Sequence, residues 1–316
     1  MGIKRRIKAS STPDAMPIGE AFKEFIHERE AKNLSKATLR NYEQSFEYFM
    51  EFFEFSDDTL INEVKQPLFY EWMNTMKLEG VRHTSINHYL RDTRTFFNWA
   101  MEKGYLEHFK VPMMEGQEET PKMFSDEELA LLLEKPSGTN FTTWRTWLIV
   151  NWVLATGNRA ATICDVKVSD VDFQKKEIML KHTKNKKASI IPLSPSLETA
   201  IKEYLRKFEI EDWLFPNVGV EQLTTGALQH AFAKYCKDRG CTRTNIHGLR
   251  HNFAKLWIKN DGDHFKLQKM LGHQTLAMTS HYVKLFSEDL KEDFEKFSPL
   301  DTLKRSSKRT NKIQKR

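Results

Sequence analysis

The sequence predicts a mainly α-helical protein: a small all-helical domain, then a larger, mostly helical domain with one small β-hairpin. Three observations predict it. Apolar residues recur at spacings of three and four from Ile18 to Phe109. A stretch with two Pro, a Gly and a polar centre then interrupts the pattern at 111–123, as a linker does. Beyond it the helical period returns and gives way to a period of two only around 177–193. A chain of 316 residues fits about two domains, and its 22 Phe and 7 Trp supply enough apolar bulk for two cores.

Each element has its own signal. Ser35 is a natural N-cap, and behind it Leu39, Tyr42, Phe46, Phe49 and Phe53 form one apolar stripe. Pro67 opens a helix carrying Phe69, Trp72, Met73 and Met76, which Gly80 ends. The next helix is expected from Thr84 or Ser85, through Ile86, Tyr89, Leu90, Thr93, Phe97 and Ala100, to a stop before Gly104. Its other face holds His88, Arg91, Arg94 and Asn98, with Arg82 and His83 just ahead; such a face is either simply solvated or laid along phosphates. Ser125 and Glu128 form a capping box that opens the second domain near Phe124. Trp144 to Leu154 is apolar on almost every side, as a central core helix is, and Thr156-Gly157 breaks it before another helix near Asn158. Glu177 to Leu180, a loop over 182–187 and Ser189 to Leu193 read as the hairpin, after which helices continue to about Phe297. The expected boundaries are a basic tail at 1–15, domains at 16–110 and 124–300, the linker at 111–123, and a basic tail at 301–316.

The net charge of +6 resides in the tails. Lys4, Arg5, Arg6 and Lys8 carry four positive charges, and seven more follow from Lys304 to Arg316; the body between therefore carries −5. Charge alone thus does not establish nucleic-acid binding, although such tails suit phosphate backbones. The most apolar run, Trp147 to Ala155, is nine residues long and includes Asn151, well short of the roughly 20 residues of a membrane span. No apolar segment follows the basic start, so a cytoplasmic protein without a membrane partner is expected. Three Cys make a disulfide framework improbable. Cys236, Cys241, His247 and His251 follow C-x4-C-x5-H-x3-H, a centre too short for a zinc finger, and no metal or cofactor is expected.

Five polar features stand out in the second domain. Arg159 sits at a helix start in Ala155-Thr-Gly-Asn-Arg159, and Lys184 lies in the hairpin loop Thr183-Lys-Asn-Lys-Lys187. In His247-Gly-Leu-Arg250, spacing i, i+3 puts both polar side chains on one helical edge, while Leu249, Phe253 and Leu256 form an apolar stripe to its side. Leu271-Gly-His273 reads as a helix end with Gly at C′, and Tyr282 follows nine residues past that histidine. Taken singly, each has an ordinary structural reading.

Taken together, their order and spacing resemble the tyrosine recombinase, or phage integrase, family over about residues 18–297. The strings H-G-L-R-H and L-G-H-x8-Y carry most of that specificity, and the N-terminal helices resemble the family's SAM-like core-binding domain. The resemblance implies a site-specific recombinase that cuts and rejoins DNA through Tyr282. It makes Arg159 and Arg250 the phosphate-clamping arginines and Lys184 the hairpin lysine, with His247 and His273 completing the pocket. It also implies double-stranded DNA sites as partners and a tetramer on DNA, docked through the helix at 285–297. One position departs: where the family commonly carries an acid three residues after the first arginine, this chain has Thr162. Two alternatives remain, a topoisomerase IB-like relaxer and a non-catalytic DNA-binding protein on the same fold.

The residue types suit the reaction. Two guanidiniums match the charge that builds on the nonbridging oxygens of a phosphodiester, so metal-free catalysis is expected. A phenol of ordinary pKa near 10 needs its proton removed. Of the family set, His247 is assigned as base and Lys184 as proton donor to the departing 5′-oxygen.

Overall fold

The computed structural model describes residues 16–115, 122–181, 188–273 and 275–286, with the backbone alone at His281 and 283–286. The chain divides into two compact units between Glu118 and Glu119. Among the described residues both are built mainly of helices, and a small antiparallel sheet lies in the second.

The first unit contains α1 (Ile18–Ala31), α2 (Lys36–Phe52), α3 (Gln66–Leu78) and α4 (His83–Lys103). Ser35 caps α2 by accepting the Thr38 N–H, and Gly104 ends α4 in the left-handed conformation. The helix α4 begins one to two residues earlier than the sequence suggests. Its N-cap is Arg82, which supplies no side-chain cap, so the Thr and Ser that signalled a start lie inside the first turn. The apolar stripes meet in an aromatic core, with Phe22 stacked on Phe46 at 3.8 Å and Phe96 set edge-on to both rings. Val111 is buried in this core, and Met114 exchanges two 2.9 Å hydrogen bonds with the Asn87 amide, so the start of the expected linker is fastened to α4.

The second unit contains α5 (Asp126–Leu133), α6 (Phe141–Thr156), α7 (Ala160–Cys164), strands β1 (Val171–Asp172), β2 (Glu177–Leu180) and β3 (Ser189–Pro192), then α8 (Pro195–Lys207), α9 (Thr225–Asp238), α10 (His247–Lys259), α11 (His264–Leu271) and α12 (Leu276–Phe286). Ser125 and Glu128 form the expected capping box on α5. Asn140 caps α6, which is longer than its apolar run because polar Thr142 and Thr143 occupy its first turn. Buried on nearly all sides, α6 packs against α5, α8, α9 and α10.

The sheet order is β1-β2-β3, with Ile178 opposite Ile191 on the buried face and Met179 opposite Ile190 on the exposed one. This alternation is the period-two signal of the sequence. The two-residue β1 is too short to show a period and was not anticipated. In α10, Leu249 and Phe253 are buried as expected, but Leu256 is 36% exposed. A smaller cluster of Phe253, Ala254, Ile258, Leu267, Leu271 and Tyr282 joins α10, α11 and α12. No helix among the described residues is long and apolar enough to cross a membrane.

Candidate active site

Four chain reversals and helix ends converge on one pocket in the second unit. Helix α6 stops at Gly157, whose φ of +66° frees its carbonyl from the helix. Arg159 is the N-cap of α7. The first turn of α10 carries His247, Arg250 and His251 on one face. Helix α11 ends at Gly272 with φ +60°, placing His273 just beyond it, and α12 brings Tyr282 back across α10 and α11.

Backbone carbonyls hold the two arginines. Arg250 donates from Nη1 to the Gly157 carbonyl at 2.6 Å and from Nη2 to the Leu271 carbonyl at 2.9 Å. Arg159 donates from Nη1 to that same Leu271 carbonyl at 3.2 Å. Arg250 is 2% exposed, and among the described residues neither guanidinium forms an ion pair with a carboxylate. Two cations gathered in a buried place against neutral carbonyls make a site that lacks an anion. Burial lowers the pKa of both, Arg250 to about 10 with the charge of Arg159 adding to it, and both stay ionised at neutral pH. Thr162 lies half-buried on α7, and the Leu271 carbonyl steadies Arg159.

The neighbouring donors fix the state of His273. Arg250 can only donate, so at 3.1 Å its Nη2 meets the lone pair of His273 Nε2. The proton of the neutral ring then sits on Nδ1 and is donated to Thr279 Oγ1 at 2.9 Å. Burial, with Arg250, Arg159 and His247 adding to it, lowers the His273 pKa to about 4, and the same causes from burial and the two arginines lower that of His247.

Tyr282 is 6% exposed, and its ring stacks on His273 with an interplanar angle of 6° and centroids 6.0 Å apart. Its hydroxyl lies 2.8 Å from His251 Nδ1. Burial raises the phenol's pKa, while Arg250 and Arg159 pull it back down. The phenol is therefore neutral in this arrangement, beside the two charges that favour its phenolate. His247 packs edge-on against the His251 ring, centroids 4.6 Å apart.

Of the residues expected from the sequence, Arg159, His247, Arg250, His273 and Tyr282 come together here. Lys184 lies outside the described residues, as do the two basic tails. His251 was not anticipated as part of this site, although its position one helical turn past His247 puts it on the same face. Cys236 and Cys241 are buried in the main core of the second unit, with burial raising the Cys236 thiol to about 12, while His251 faces Tyr282 and His247 packs on the His251 ring.

The fold is mainly helical, with a buried tyrosine beside paired arginines. Residues 122–289 match the phage integrase family, and residues 18–117 match the phage integrase SAM-like domain. The chain belongs to the phage integrase family. Its curated relatives include tyrosine recombinase XerC of Thermodesulfovibrio yellowstonii, 25% identical over 288 residues that cover 87% of this chain and 94% of that protein. Tyrosine recombinase XerA of Pyrococcus furiosus is 26% identical over 288 residues, covering 90% and 96%. Among solved structures, a lambda integrase tetramer bound to a Holliday junction matches with a TM-score of 0.69 at 18% identity, covering 86% of this chain and 78% of that one. XerH site-specific recombinase bound to a palindromic difH substrate matches with a TM-score of 0.66 at 20% identity, covering 88% and 84%. These structures share the fold.

Proposed function

We propose that this recombinase cuts a DNA strand with Tyr282 and rejoins it to another, conserving the bond as a 3′-phosphotyrosyl ester. The observation that carries the reading is the single pocket in which Tyr282 stacks on His273 beside two guanidiniums that have no carboxylate partner among the described residues. A phosphodiester brings the missing anion. Arg159 and Arg250 face its nonbridging oxygens, where charge grows in the pentacoordinate transition state. Their planar forks hold that charge at any pH at which DNA is handled. His273 orients Arg250 through Nε2 and supports the Tyr282 ring. His247, on the same face of α10, faces the phosphate, and Lys184 is the proton donor to the 5′-oxygen.

Attack by a phenol leaves an ester that a 5′-hydroxyl can reverse, so strand exchange needs neither ATP nor a ligase. Each pocket serves one strand, and two duplexes call for four protomers. The DNA-bound forms of the structural relatives, one of them a tetramer, support this assembly. Docking through 285–297 is part of the proposal; residues 287–297 lie outside the described residues. In the first unit, Arg82, Arg91 and Arg94 are exposed along α4 and suit a phosphate backbone.

The test uses a pool of nicked duplexes with a randomised core, incubated with the full chain in EDTA. Covalent adducts are recovered in SDS and the captured strands sequenced. The reading predicts adducts converging on one sequence, and none with Tyr282→Phe. Adducts that persist in Tyr282→Phe refute it.

A further inference from the structure

We infer that His251 takes the proton from Tyr282 when the tyrosine attacks, the role that sequence alone gave to His247. This rests on Tyr282 being the nucleophile. It adds a second histidine of α10 to the reacting atoms.

Two groups beside the hydroxyl, Arg250 and His251, differ in what they can accept. The Arg250 charge favours the Tyr282 phenolate, but a guanidinium has no lone pair with which to accept the proton. The proton of the hydroxyl therefore needs a different acceptor. His251 Nδ1, at 2.8 Å, is an unsaturated ring nitrogen at hydrogen-bond distance. With the ring proton on Nε2, Nδ1 presents a lone pair and Tyr282 donates to it.

The surroundings hold that geometry. Tyr282 is pinned by the apolar cluster with Phe253 and Leu271 and by the His273 ring. The His251 ring is wedged between Tyr282, with centroids 5.5 Å apart, and the His247 ring, edge-on at 4.6 Å. Geometry of this kind, a base within reach of the proton it removes, precedes any argument from pKa. Burial also holds the phenol above its ordinary pKa, so the hydroxyl needs a base that a free tyrosine near two arginines would need less.

The step balances. The Tyr282 O–H bond breaks, its proton goes to His251 Nδ1, and the oxygen's electron pair forms the bond to phosphorus. The P–O5′ bond breaks with its pair on the 5′-oxygen, which takes a proton from the Lys184 ammonium. His251 becomes an imidazolium and Lys184 a neutral amine. Rejoining runs the same transfers backwards, with His251 returning the proton to the departing phenol.

The test compares single-turnover adduct formation for His251→Phe and His251→Asn on a duplex captured by the wild-type chain. Phenylalanine keeps the packing and removes the acceptor. Asparagine offers an amide oxygen that can hold the hydroxyl but is not basic. Both are expected to slow cleavage by about 10²–10⁴-fold with DNA retention in a gel unchanged. Replacing Tyr282 by 2,3-difluorotyrosine, a more acidic phenol, is expected to return most of that loss in both variants. A 5′-bridging phosphorothiolate, whose leaving group needs no proton, is expected to rescue Lys184→Ala and neither His251 variant. Near wild-type cleavage by His251→Asn makes His251 a positioning residue only and overturns the inference. Loss that the fluorinated tyrosine fails to relieve overturns it as well. Either result leaves the Tyr282→Phe outcome, and with it the proposed function, standing.

Discussion

Replacing Gly157 by alanine adds one methyl group at the point where the fold and the pocket meet. The built Cβ would lie 2.5 Å from Phe253 Cδ1 and 2.9 Å from Leu271 Cδ2, distances that packed atoms do not reach. Neither ring nor branch can retreat freely, since Phe253 and Leu271 belong to the cluster that seats Tyr282. The residue also holds φ +66°, which costs an L side chain about 1–2 kcal/mol. Overpacking of this kind adds about 1–3 kcal/mol, so the total is about 2–5 kcal/mol. In a unit of this size that lowers Tm by roughly 4–20 °C. Function should fall further than stability, because the Gly157 carbonyl accepts the 2.6 Å bond that aims Arg250. Cleavage measured well below the new Tm is expected to drop by at least tenfold, on the order of a kilocalorie and a half of lost positioning. Gly104→Ala is the control: φ is +82°, but nothing lies within 4 Å of its built Cβ. It should cost only the backbone penalty and leave cleavage intact. Gly157→Ala with the Tm of Gly104→Ala and wild-type cleavage would refute the reasoning.

Other outcomes follow from the same geometry. Arg250→Lys keeps the charge but cannot reach the Gly157 and Leu271 carbonyls together, and should lower cleavage by about 10²–10³-fold in the adduct assay. Asn252, 1% exposed, accepts from the Phe124 N–H and donates to its carbonyl, joining α10 to the start of the second unit. Asn252→Leu leaves both groups unpaired and should destabilise by about 2–4 kcal/mol in denaturant unfolding. His273 is held neutral, its pKa depressed to about 4, so its contribution is present above the unfolded value near 6.5 and lost as pH falls toward 4. His247 shifts in the same direction. His273→Gln should therefore flatten the fall of Tm across that window, and an unchanged slope would contradict the assignment.

The sequence made much of this legible because the relevant signals are local. Ser35 and Ser125 cap helices by contacts three residues away, and the alternation of Ile178 with Met179 is written along one strand. The spacing of His247 and Arg250 on α10 was readable for the same reason. What escaped depends on residues distant in the chain. Asn252 and Phe124 are 128 positions apart, and neither looks special until the backbone of one meets the amide of the other. The carbonyls of Gly157 and Leu271, which aim the arginines, are invisible in side-chain chemistry altogether. His251 stood in plain view beside Arg250, but its weight comes from Tyr282 crossing α10, a tertiary contact 31 residues away.

The most direct test of the account is to digest the SDS-stable DNA adduct with trypsin and nuclease and sequence the modified peptide by mass spectrometry. The account predicts a 3′-linked phosphonucleotide on the Tyr282 phenol and on no other residue. A nucleotide carried by a different side chain, or DNA cut with no protein-linked phosphate, would contradict it.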